Sequence, residues 1–377
     1  MKKFTCPYCY SEHNLQTAKL KCSYTLKDKD TGNIKNCVGN VQKDADGYIP
    51  LKDREKCMRC TYAKKSVYCP EVKKEIPSDF LNGKSLSVAL LGAKASGKSN
   101  YIGVLVNEIK RKMTGSFNCS LSLTSSEESK EYYEKEYYKP LFINGNVVRG
   151  TATSVDVPPL IFPLRFMNKR DHIVNTAALT FYDTAGEHFD STQDMLINNR
   201  YIPNSDGIIL LLDPLQVSSI RRKLENKMDD LPAQNTDVVE VLSRIVENIR
   251  DVKNIRGKIK VPLALVFTKI DALEKFDILR EDSCLRQESE HMSRGVFVYS
   301  DFENVNIEIR DLLENWLDEE LVQLMKNFEK YAFFGLSALG GIPQGTKLAG
   351  NQIKPRRVLD PLLWILAENK YIRTVKK

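Results

Sequence analysis

Six mostly apolar runs punctuate an otherwise charge-rich chain, near residues 86–91, 160–167, 177–182, 207–212, 261–267 and 331–336. Runs of that length, bounded by Gly, Asn and Asp, predict strands buried on both faces. Between and after them, amphipathic stretches at 100–113, 238–250 and 360–367 predict helices. The alternation is that of an α/β fold with a mostly parallel sheet and helices on both faces. Residues 160–167 and 177–182, joined through 168–172, predict one antiparallel hairpin. Asp360 is placed to cap the last helix, with Pro361 in its first turn.

Two stretches exceed what a minimal fold of this kind requires. Residues 114–158 contain a run of Glu, Lys and Tyr at 126–139, which reads as a solvated charged helix with tyrosines packed beneath it. Residues 214–258 read as a helical pair.

The first strand leads into Gly92, Ala93, Lys94, Ala95, Ser96, Gly97, Lys98 and Ser99, followed by Asn100. This is the G-x-x-x-x-G-K-[ST] phosphate-loop pattern in its required strand-to-helix setting. The two glycines let the backbone wrap closely, so that N–H groups and the helix N-terminus meet phosphate oxygens. Lys98 supplies a point charge to the β- and γ-phosphates, and Ser99 a hydroxyl for Mg²⁺. Asp183, Thr184, Ala185 and Gly186 close the third apolar run, where an acid would hold Mg²⁺ and Gly186 would turn toward the γ-phosphate. Of the hydroxyls at 149–154, Thr153 is the choice for a further Mg²⁺ contact, with Thr151 next.

Which base is read follows from two later strand ends. Thr268, Lys269, Ile270 and Asp271 resemble the N/T-K-x-D motif, and Asp271 could accept two hydrogen bonds from the N1–H and amine of guanine, which adenine cannot supply. Ser337, Ala338 and Leu339 resemble the S-A-[KL] loop whose backbone meets the guanine O6 in Ras-like GTPases. Taken in chain order, these motifs predict a Ras-like P-loop GTPase domain over 85–377.

Cysteine and charge set the first residues apart. Seven of the nine cysteines lie in the first 69 residues: Cys6, Cys9, Cys22, Cys37, Cys57, Cys60 and Cys69. Residues 1–84 hold 17 Lys/Arg against 10 Asp/Glu, so the whole net charge of +7 resides there and the remainder is neutral. Two C-x-x-C pairs in a cytosolic chain favour zinc over disulfides. Thiolate ligation would also reduce the apparent basicity of this module. The simplest partition gives one site from Cys6, Cys9, Cys22 and Cys37, and a second from Cys57, Cys60, Cys69 and an unidentified ligand, since position 72 is Val72. His13 reads as a surface histidine, although it would complete a set if the sites interleave. The expected organisation is a zinc-ribbon-like module at 1–74 that serves as cap or protein contact, then a linker at 75–84. No apolar window suggests a membrane span, and none after Met1 suggests a signal peptide, so a soluble cytoplasmic protein is expected.

Cys6 and Cys9, the loop from Gly92 to Tyr101, residues 183–187 and residues 360–364 together resemble the bacterial double-GTPase group of the TRAFAC class. The resemblance implies a GTP-binding switch in a conflict or defence system, with protein partners such as a second GTPase or a copy of itself. One departure bears on turnover. Ras-like proteins place a water-orienting glutamine directly after D-T-A-G, whereas this chain has Glu187, whose charge would face the γ-phosphate; slow hydrolysis is expected. The reading of a different class is a zinc-ribbon nucleic-acid-binding protein with a regulatory GTPase fold, and an ATPase or P-loop kinase is a third.

Overall fold

Strand β1 (Ser87–Gly92) is buried at every residue and lies at the centre of a seven-stranded sheet. Its companions are β2 (Cys119–Leu121), β3 (Leu160–Met167), β4 (Ile173–Phe181), β5 (Gly207–Leu212), β6 (Leu263–Phe267) and β7 (Tyr331–Gly335), in the order β7-β6-β5-β1-β4-β3-β2. β1, β4, β5, β6 and β7 run parallel. β3 and β4 form the expected antiparallel hairpin, in which Leu160 pairs with Phe181. This is the Ras-like order with one strand added: β2 pairs antiparallel with Leu164, Arg165 and Phe166 at the edge of the sheet. Three residues of mixed polarity carry no strand signature of their own.

The computed structural model describes residues 3–22, 26–27, 30, 34–35, 41–44, 46–60, 65–81, 86–92, 96–122, 127–149, 160–181, 201–224, 237–315, 319–348, 350 and 352–376. Two compact units result, Met1–Ser85 and Leu86–Lys377.

In the larger unit, Val88, Leu90, Ile209, Leu211 and Val266 share one core with helix α1 (Lys98–Glu108). The intervening residues Ala89, Leu91, Ile208, Leu210 and Leu265 are equally buried, so both faces of the sheet are covered. Helix α2 (Val238–Lys253) buries the stripe Val241, Leu242, Ile245 and Ile249; Asp237 caps it by accepting from the N–H groups of Val239 and Glu240, and Asn254 ends it at φ 51°. Further on lie the short helix α3 (Ile270–Lys275), the long helix α4 (Tyr299–Asn315) and the closing helix α5 (Asp360–Glu368). The tyrosine-rich stretch is helical, first as α-helix (Glu127–Tyr133) and then with the wider π-turn (Glu134–Ile143). Tyr133 and Tyr137 stack beneath it, 5.9 Å apart, and the Tyr133 hydroxyl donates to the Gly103 carbonyl of α1. A Cβ on Gly103 would stand 2.5 Å from Leu141, which explains a glycine inside α1.

Asp360 does not cap α5; Leu359 occupies that position, and the buried Asp360 carboxylate accepts from Arg357 instead. A buried guanidinium outcompetes backbone N–H groups for the carboxylate.

The smaller unit holds short paired strands and the short helix Arg54–Met58. Lys3–Thr5 pairs with Glu12–Asn14, Leu26–Lys27 with Ile34–Lys35, and Lys19–Cys22 with Lys65–Tyr68, which in turn pairs with Glu75–Ile76. Leu20, Cys22, Val41, Ile49 and Cys57 make its small apolar core. The stretch expected as a linker differs: Glu75–Ile76 is a strand, Ser78–Leu81 a helical turn, and Ile76 and Phe80 are both buried. Among the described residues no helix is long and apolar enough to cross a membrane.

Candidate functional site

The C-terminal end of β1 delivers the chain to the phosphate loop. A Cβ on Gly92 would lie 2.4 Å from Ser96 Oγ and 3.3 Å from Lys98 Cβ, so a side chain there would displace the Ser96 hydroxyl and crowd the start of α1. Gly97, at φ 82°, precedes α1 in the left-handed region, and the buried Lys98 opens the helix with Ser99 and Asn100 behind it. Ser96 Oγ is buried with no partner among the described residues. A tight glycine turn, an orphaned hydroxyl, a buried lysine and a helix N-terminus are what a triphosphate requires. Asn100 turns aside, its Oδ1 accepting from the Val148 N–H at 2.9 Å.

The ends of β5, β6 and β7 supply the other wall. The Thr268 hydroxyl lies 2.8 Å from the Ser96 carbonyl and 3.0 Å from that of Leu212, bridging the base-reading segment to the phosphate loop. Lys269 adopts φ 54°, and its stem runs past Gly97, where an added Cβ would meet Lys269 Cε at 3.9 Å. Its Nζ pairs with Asp213 Oδ2 at 2.6 Å, and Asp213 is itself buried. Asp271 accepts a hydrogen bond from the Ser337 hydroxyl, which in turn accepts from the Gly340 N–H. Ser337, Ala338 and Leu339 are held in place by exchange of backbone hydrogen bonds between Ser337 and Arg356 and by the Lys354 N–H donating to Leu339. Arg356 then reaches Glu274 of α3, the helix that carries Asp271.

The structure thus gathers Gly92, Ser96, Gly97, Lys98 and Ser99 with Thr268 and Lys269, and sets Asp271 beside Ser337. Ala93, Lys94, Ala95, Thr153, Asp183, Gly186 and Glu187 lie outside the described residues. Asp213 is a participant that sequence reading missed. Its signal in the sequence is weak, an acid at the end of the apolar run 207–212.

Residues 86–322 match the Double-GTPase 2 family. The chain belongs to that family. GTP binding is the function that goes with the double-GTPase fold, whose matched region covers the phosphate loop and the base-reading segment but none of the N-terminal unit. Among curated proteins the chain is similar to SaeC of Mycolicibacterium smegmatis, named for ESX-1 scaffolding and assembly, with 28% identity over 327 residues, 79% of this chain and 78% of that one. Among solved structures it is similar to the GTP-bound GTPase-like domain of Saccharomyces cerevisiae Ski7, at 14% identity and a TM-score of 0.34, covering 76% of this chain and 50% of that one. A GDP-bound GTP-binding protein of Sulfolobus solfataricus follows at 12% identity and 0.28, with coverages of 75% and 53%. The chain spans about half the length of these two structures.

In the N-terminal unit the cysteines group differently from the expected partition. Cys6, Cys9, His13 and Cys69 are all buried, and their ligand atoms lie within 4.8 Å of one another. Contact with Cys6 favours the Cys9 thiolate, while that same contact and burial push Cys6 up. Cys22 and Cys57 pack in the apolar core instead, Cys60 is half-buried, and Cys37 lies outside the described residues. The reason is strand register: His13 pairs opposite Phe4, which carries it back over the Cys6 turn rather than out to the surface.

Proposed function

We propose that this chain is a GTP-dependent switch with a zinc-bearing N-terminal module. In this reading Gly92, Gly97 and the intervening N–H groups cradle the phosphates, Lys98 pairs with the β- and γ-phosphates, and Asp271 reads guanine beside the loop 337–339. Ser99, Asp183 and Thr153 are the residues that would hold Mg²⁺, which would supply positive charge to offset that of the phosphates. The segments around Thr153 and Gly186 would order on the γ-phosphate and relax after its loss. The observation that carries the reading is the Thr268 hydroxyl against the Ser96 carbonyl, because it sets the base-reading and phosphate-binding ends of one site at a fixed separation.

Competition against a labelled GTP analogue tests it. GTP and GDP are expected to displace the label and ATP to fail at the same concentration; equal displacement by ATP would overturn the guanine assignment.

Hydrolysis is proposed to be slow, on the order of 10⁻⁴ per second without a partner, because an ionised Glu187 cannot donate to the attacking water and repels the γ-phosphate. Glu187→Gln is then expected to raise single-turnover hydrolysis, and an unchanged or lower rate would refute this account. The biological setting proposed is cytoplasmic and built on protein partners. The double-GTPase resemblance supports a conflict or defence system, and the name of SaeC supports control of an assembly. Both readings require a GTP-dependent change in association, which gel filtration with GTP and with GDP would reveal.

A further inference from the structure

We infer that Cys6, Cys9, His13 and Cys69 are the four ligands of a single tetrahedral zinc ion. This inference rests on reading the N-terminal unit as zinc-bearing, and it names the ligands.

The distances suit one ion. Cys9 Sγ lies 3.1 Å from His13 Nε2 and 3.5 Å from Cys69 Sγ, and Cys69 Sγ lies 3.4 Å from His13 Nε2. Ligands about 2.3 Å (sulfur) and 2.0–2.1 Å (nitrogen) from a tetrahedral zinc stand roughly 3.8 Å (S to S) and 3.6 Å (S to N) apart, so only a slight expansion is needed. A disulfide would need the sulfurs at about 2.05 Å, and it would leave the imidazole without a purpose.

The backbone supplies an independent reason. Cys6 and Cys69 head two turns of the same construction. The Cys6 N–H donates to the Ser11 carbonyl and the Cys69 N–H to that of Lys74, five residues on in each case. The Tyr10 and Lys73 N–H groups return to the carbonyls of Cys6 and Cys69 at 2.9 and 3.1 Å. Tyr10 and Lys73 both sit in the left-handed region, at φ 58° and 54°. Within the turns, the Tyr8 N–H donates to Cys6 Sγ at 3.4 Å, and those of Glu71 and Val72 point at the Cys69 sulfur. Such donors hold each sulfur over its own turn. The first turn offers a second sulfur, Cys9, three residues after Cys6, but the equivalent position of the second turn is Val72. One ligand is therefore lacking from the pair of turns, and His13 stands where it is needed. Three thiolates with one imidazole in tetrahedral array select zinc among the common ions.

The ion would join segments 60 residues apart in a unit with a small apolar core, so its binding energy is folding energy for that unit. Cys22 and Cys57 lie outside the set.

Zinc content and the absorption of the Co²⁺-substituted full-length chain test the assignment. The wild type is expected to give an S₃N cobalt spectrum. His13→Ala and Cys69→Ser should each lose one equivalent of zinc, and Cys22→Ser should keep the S₃N component. His13→Cys should retain the metal and shift that component to S₄, which guards against mere misfolding of the alanine variant. A wild-type chain without zinc would sink the zinc-bearing reading itself. Zinc present but undiminished in His13→Ala, or a cobalt spectrum unmoved in His13→Cys, would overturn the ligand set alone.

Discussion

Arg357 grips the Asp301 carboxylate through two hydrogen bonds, Nη1 donating to Oδ2 at 3.0 Å and Nη2 to Oδ1 at 2.9 Å. The same guanidinium donates to Asp360 at the start of α5 and to the Cys284 carbonyl. Burial alone would push Arg357 down, but the two carboxylates more than reverse it and hold the cation above its ordinary value. Its backbone adopts φ 55°, a conformation the surrounding contacts must enforce. The preceding residue, Arg356, is the one that exchanges hydrogen bonds with Ser337, so the buried pair steadies the segment on which the base-reading loop leans.

Asp301→Ala should therefore destabilise the larger unit by about 1.5–3 kcal/mol, the range for losing hydrogen bonds to a charged group, because Asp360 still holds the buried guanidinium. Urea denaturation measures it. A loss below roughly 1 kcal/mol would show that the pair contributes little net stability.

Much of this architecture was legible before any coordinates. A central parallel strand must be apolar throughout, and a phosphate loop must carry its glycines and lysine at one strand end, so β1, β5 and β6 and the loop at Gly92 announce themselves locally. What stayed hidden depends on partners distant in sequence. The strand at Cys119 exists only because β3 offers an edge. Asp360 has the local look of a cap, yet it answers to a guanidinium that Asp301, 59 positions away, also holds. His13 joins Cys69 only through a hairpin register that no spacing rule encodes.

Asp271→Asn is expected to weaken GTP and GDP binding alike by about 2–5 kcal/mol, since a carboxylate accepting from two guanine donors is replaced by an amide that must present one donor to another. Because Ser337 donates to the same carboxylate, Ser337→Ala should weaken binding by a smaller amount, about 0.5–1.5 kcal/mol. Titration with a fluorescent nucleotide measures both. Unaltered affinity in the asparagine variant would remove Asp271 from the site.

Burial pushes the Cys119 thiol from an ordinary 9.0 up to about 12, and burial with the Glu308 carboxylate does the same to Cys284. In the folded chain both thiols remain protonated over a range where the unfolded chain ionises them. The native state thus binds more protons, and the stability they contribute is fully present below pH 9 and lost as the pH climbs toward about 12. Urea midpoints should fall across that window, and the fall should flatten in a Cys119→Ala, Cys284→Ala double variant. At pH 8 neither thiol should react with a disulfide reagent until the protein is unfolded, because the thiolate is the reactive form.

Asp213 offers a test of the site that leaves Thr268, Lys269 and Asp271 themselves unsubstituted. Its buried carboxylate pairs with Lys269 Nζ at 2.6 Å through one oxygen and accepts from the Leu215 N–H at 2.9 Å through the other. The pairing draws the lysine stem along the phosphate loop at Gly97, so the carboxylate positions Lys269 rather than meeting a ligand itself. Asp213→Asn keeps the hydrogen bond to Leu215 but removes the charge that pairs with Lys269, whose side chain is 39% exposed. The fold should survive, because that lysine finds solvent at little cost, while nucleotide affinity should drop by roughly 5- to 30-fold, about 1–2 kcal/mol for a positioning contact. A variant that binds GTP as tightly as the parent, with an unchanged urea midpoint, would show that Lys269 reaches its position without Asp213.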